Sequence, residues 1–180
     1  GYDDLVARLG AANVPTGMSI VVGQVEAPES PGNYGPNQAN GEFIGKTFTA
    51  MSGAPGSSGH ATLVGQNMYG TVSSIAPGIT NIFLYEATNW ATTGYLHTNQ
   101  AGIDPNASPG GIKMFNNSWI GSFGNAAIDN NALRRADFVV TRDQLIIVNG
   151  VNNGGPQQPL MCQGFNRIGV GIAPAKQHRG

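Results

Sequence analysis

The chain has 180 residues, enough for one domain with a packed core, and only 11% are charged, against roughly 25% in ordinary soluble domains. A formal net charge of -1 with no basic stretch argues against nucleic acid as a partner, and no apolar run is long enough to span a bilayer. The 27 glycines and 11 prolines imply many tight turns, and the single cysteine, Cys162, rules out an internal disulfide.

Leu5, Val6 and Leu9 stand at helical spacing and predict a short helix over Asp3–Leu9. MSIVVGQV (18–25) is a β-branched apolar run and predicts a buried, parallel strand. A Gly/Pro/Asn loop follows over 28–40. HATLVGQNMY (60–69) predicts a helix that Gly70 stops. Ile79–Tyr85 and Ile112–Ser118 read as a second and a third strand. Ala126–Val140 is the clearest helix, with Leu133, Ala136 and Val140 on one face and Arg134 and Arg135 off it. Leu145–Val148 and Arg167–Ile172 read as a fourth and a fifth strand, and 174–180 is polar with no periodicity.

Strands alternating with helices or long crossovers predict an α/β fold, a mostly parallel sheet flanked by helices, in one domain over 1–180. In such sheets sites form beyond the carboxyl ends of the strands. Glu26, Asn117 and Asn153 stand at such positions. His60 opens a helix after GSSG, where an imidazole serves either as a base of near-neutral pKa or as an ordinary capping or core residue. Asn153 lies in NNGG, which is turn chemistry as readily as an amide aimed at a developing negative charge. No P-loop, dinucleotide fingerprint or zinc spacing is present; His97 and His178 are isolated, and Asp104-Pro105-Asn106 reads as an Asx turn.

Five segments in order resemble the subtilisin-like serine proteases (subtilases, peptidase S8). GHATLVGQNMYG (59–70) resembles the family's histidine motif, and SSIAPGITNIFLYEA (73–87) the segment and strand after it. MFNNSWIG (114–121) resembles the strand end lining the substrate cleft, LIIVNGVNNGG (145–155) the strand and turn presenting the oxyanion asparagine, and CQGFNRIGVGI (162–172) the next strand. The resemblance implies a three-layer sandwich whose C-terminal part is missing, and a serine endopeptidase acting on peptide or protein substrates. It makes His60 the general base, and Glu26 the orienting acid where the family has aspartate, with Glu29, Glu42 and Asp3 as rival acids. Asn153, with Asn152 beside it, becomes the oxyanion donor, and Ser118, Trp119 and Gly121 the substrate-binding wall.

The family's nucleophile stands in a Gly-Thr-Ser motif, and none of the serines here does. The chain is therefore expected to be inactive alone, a piece of a longer protein completed by a missing C-terminal segment or a second chain of the same domain. The resemblance further implies secretion and calcium as a possible ligand, with no cofactor required. An inactive peptide-binding module and a secreted structural domain are the competing readings.

Overall fold

The computed structural model describes residues 2–152 and 160–171. Among the described residues eight strands and four α-helices follow in chain order. They are α1 (Tyr2–Leu9), β1 (Val21–Glu26), β2 (Asn33–Gly35), β3 (Thr47–Ala50), β4 (Gly56–Ser57), α2 (Gly59–Tyr69), β5 (Asn81–Glu86), α3 (Ala87–Asn89), β6 (Met114–Asn117), α4 (Ala126–Asp143), β7 (Ile146–Gly150) and β8 (Ile168–Val170). The main sheet has six strands in the order β3-β5-β1-β6-β7-β8, all parallel, and β2 and β4 pair in a small sheet of their own.

The sheet is buried between helices on both faces, as parallel sheets require. On one face Val22, Ile82 and Leu84 pack with Tyr34, Phe43 and Tyr69 of α2. On the other, Val25, Tyr85, Phe115 and Ile147 pack with Ala136 and Val139 of α4. An aromatic nest fills this second layer, with Tyr95 and Phe115 ring centroids 4.8 Å apart and Trp90 stacked on Tyr95 at 5.6 Å. Each such ring, fully removed from water, contributes about 1.5–3 kcal/mol. The architecture is the expected three-layer α/β sandwich with a mostly parallel sheet.

The sequence reading overlooked β3, a four-residue, largely exposed edge strand with no apolar run to announce it. It also overlooked β2 within the 28–40 loop, and the helical turns of α3 and Trp90–Gly94. The last strand is shorter than predicted, and Ile172 lies outside the described residues.

The connection that leaves β1 runs toward the edge strand β3, whereas the one that leaves its neighbour β6 runs the other way, toward β7, and this reversal opens a crevice beyond the carboxyl ends of the two strands. Among the described residues no helix is long and apolar enough to cross a membrane.

Candidate functional site

Glu26 is the last residue of β1 and stands at that reversal point. Strand side chains alternate between faces, so Val22, Gln24 and Glu26 all point toward α2 while Gly23 and Val25 point toward α4. Across from them, α2 starts at Gly59 and presents His60 in its first turn. Four backbone N–H groups at a helix start need partners. Here the Glu29 carboxylate accepts from Gly59 (2.9 Å) and His60 (2.8 Å), the Ser58 hydroxyl accepts from Ala61 (3.0 Å), and the Ser58 carbonyl accepts from Thr62 (3.0 Å). The helix end is thereby fixed, and His60 with it.

The His60 Nδ1–H donates to Glu26 Oε2 at 2.9 Å; the Glu26 side chain is 1% exposed and the His60 side chain 52% exposed. The bond ties Nδ1 to the carboxylate and turns Nε2 away from it. Burial pushes the Glu26 carboxyl up to about 7, against the pull of hydrogen bonds from Gln24 and His60. Gln24, itself buried, donates from Nε2 to Glu26 Oε1 (2.8 Å) and to the Ala61 carbonyl (2.9 Å), and its Oε1 accepts from the Tyr69 hydroxyl.

The rival acids are occupied elsewhere. Glu29 is the cap of α2, and backbone N–H bonds from His60 and Gly59 hold its carboxyl below the usual range. Glu42 accepts from Val72, Ser73 and the Ser73 hydroxyl beyond the opposite end of α2. Asp3 lies in α1.

A cleft of about 300 Å³ has His60, Ser118, Trp119, Gly150 and Val151 among its walls. Segment 118–121 runs out of β6 along its rim: the Ser118 N–H donates to the Val25 carbonyl (3.2 Å), and Trp119 Nε1 donates to Asn117 Oδ1 (2.9 Å). Trp119 also packs partly against the core and walls a second cleft of about 300 Å³, shared with Gly121, Glu86 and Phe123. Ser118, Trp119 and His60 therefore border one space, while Gly121 faces the neighbouring one. Asn153 lies outside the described residues; Asn152, before it, follows the end of β7 near the same cleft. Among the described residues, no three or more His, Cys, Asp or Glu side chains cluster as a metal ion would need; Asn106, in the turn Asp104-Pro105-Asn106, donates from Nδ2 to the Gly94 carbonyl at 2.9 Å.

No protein-family model matches the chain, and no curated protein matches it in sequence. Among solved structures the fold is similar to that of the prenylagaramide maturation protease PagA. The match has a TM-score of 0.57 and 15% identity, and covers 87% of this chain and 55% of that one. The chain thus spans about half the length of that protease. These findings correct the assignment to the subtilisin-like S8 family: the likeness shown is one of fold, without sequence membership. The motifs that carried the assignment are rich in Gly, Ala and Asn, residues that parallel strand ends and their turns demand in many α/β proteins.

Gln24 and Tyr69 escaped the sequence reading. Gln24 carried a usable signal: an amide inside a valine-rich buried strand must find partners, and the two-residue period puts it on the face of Glu26. Tyr69 carried none, since a helix-end tyrosine is ordinarily core.

Proposed function

We propose that this chain forms the proton-transfer half of a peptide-bond hydrolase. His60 serves as general base and then general acid through Nε2, while Glu26 holds its tautomer and stabilises the imidazolium. The attacking hydroxyl is that of a serine in the full-length protein, and Asn153 is the amide donor to the tetrahedral oxyanion. Residues Ser118 and Trp119 offer an extended peptide a rim beside His60, while Gly121 lines the neighbouring cleft that Trp119 also walls. The observation that carries this reading is the 2.9 Å bond between a buried carboxyl and a half-exposed imidazole that opens on a cleft. That the structural neighbour is a maturation protease supports a peptide or protein as the substrate.

The test is made on the full-length protein. A fluorophosphonate probe is expected to label it, and His60→Ala is expected to lower peptide hydrolysis by a factor of about 10²–10⁴ or more. Full activity in His60→Ala would remove the imidazole from the reaction. Peptide binding with neither labelling nor hydrolysis would establish the binding-module alternative.

A further inference from the structure

We propose that Gln24 and Tyr69 are positioning residues that anchor the Glu26 carboxylate for His60 through a hydrogen-bond chain of fixed direction running from the core to the cleft. The inference rests on the reading of Glu26 and His60 given above.

Direction follows from the one partner that cannot switch roles. The Ala61 carbonyl only accepts, so the Gln24 NH₂ must face it, and the same NH₂ reaches Glu26 Oε1. Gln24 Oε1 is thereby turned to Tyr69, whose hydroxyl must donate. Burial holds that hydroxyl far above its ordinary pKa, so it remains a donor throughout the working range. At the other end, Oε2 accepts from His60 Nδ1. Both carboxylate oxygens therefore face donors, and a proton on either would displace one of them. The chain thus favours the ionised carboxylate that an orienting acid needs, where burial alone works against it.

Position is set by packing as well as polarity. A glutamate carries one more rotatable bond than an aspartate, and anchoring both oxygens removes that freedom. The Tyr69 ring is held by Phe43 and Phe48, with centroids 5.6 and 6.0 Å away. It lies back along its own helix over Gly65, where a Cβ would stand 2.6 Å from the hydroxyl and 3.0 Å from Phe43. Gly65 is thus the space that lets the hydroxyl reach Gln24. The groups acting on Glu26 are Gln24 from its own strand, His60 and Tyr69 from α2, and Glu29 from the loop after β1, whose charge is already engaged by backbone N–H groups.

The experiment labels Glu26 with ¹³C at the carboxyl in the 180-residue chain and follows its titration, together with the downfield Nδ1 proton of His60. Gln24→Met is expected to move the Glu26 midpoint upward by about one pH unit or more, and to broaden the His60 proton. Tyr69→Phe, which keeps the ring, and Gly65→Ala, which displaces it, are expected to shift the midpoint the same way by less. An unmoved midpoint in folded Gln24→Met overturns the proposal, and where that variant does not fold an unmoved midpoint in Tyr69→Phe does the same. Catalysis is scored separately in the full-length protein. If the titration shifts but the unmutated protein hydrolyses no peptide, the proposed function falls and the positioning stands. If hydrolysis depends on His60 while the midpoint and the acid limb of the pH profile ignore Gln24→Met, the positioning alone falls.

Discussion

Glu26 sits at 1% exposure with its carboxyl raised by burial from 4.5 to about 7, and that shift has a stability consequence with a definite sign. Between those two pH values the native state binds more protons than the unfolded chain, so stability falls as pH rises through the window. A shift of that size corresponds to on the order of 3 kcal/mol. Glu26→Gln keeps an acceptor for His60 and removes the buried charge. Its urea unfolding is therefore expected to equal or trail the wild type at pH 4 and to exceed it at pH 8 by up to that amount. A gap between the two proteins that is constant from pH 4 to 8 would contradict the assignment of Glu26 as the strained group. Stability given up at such a buried carboxyl is in keeping with the orienting role proposed for Glu26.

At the scale of elements, β1 carries the site because its two faces do different work. Toward α4 it presents Gly23, where an added Cβ would stand 2.2 Å from the Phe115 ring in the register-paired position of β6. That close approach seats the ring over the strand backbone and brings β6, with Ser118 and Trp119 beyond it, beside Glu26. Gly23→Ala is expected to cost about 1–3 kcal/mol in urea unfolding through overpacking, with the larger loss if Phe115 cannot turn aside. A neutral result would mean that the layer is looser than the aromatic contacts imply. Helix α2 was legible at the same scale from Gly70, which stops it as expected, and the structure adds Ser58 as its cap. The second cap, Glu29, comes from a loop 30 residues upstream and left no local trace. It read as a competitor for His60, while its carboxylate in fact holds the backbone of that residue.

Across the whole molecule, the outer part of the sheet depends on one buried cation. The Arg167 side chain is 1% exposed; its guanidinium donates to the Leu133 carbonyl (2.6 Å), the Met161 carbonyl (2.9 Å) and Asp137 (3.2 Å), tying the segment before β8 to α4. Removing the guanidinium leaves the Leu133 and Met161 carbonyls without that donor, while the partly exposed Asp137 keeps its bonds from the Phe165 and Asn166 N–H groups; the cost is on the order of 3 kcal/mol. Arg167→Met is expected to lower stability by about that much, and to speed hydrogen exchange at Ile168–Val170 while β1 and β5 stay protected. Equal exchange in both regions would deny Arg167 this local role. Periodicity and turn residues were sufficient to read the α/β class, the parallel central strands and the helices at 60–69 and 126–140, because those signals are local and each element displays its own buried face. They also placed Glu26 and His60 at the ends of their elements. Only the tertiary structure decided which acid meets the imidazole, that Gln24 and Tyr69 stand behind it, and that Gly121 turns to a different cleft from Ser118. Those contacts join residues 34 and 45 positions apart, and a face-by-face pattern names the side on which a residue lies but not the neighbour that strand order and helix packing bring against it.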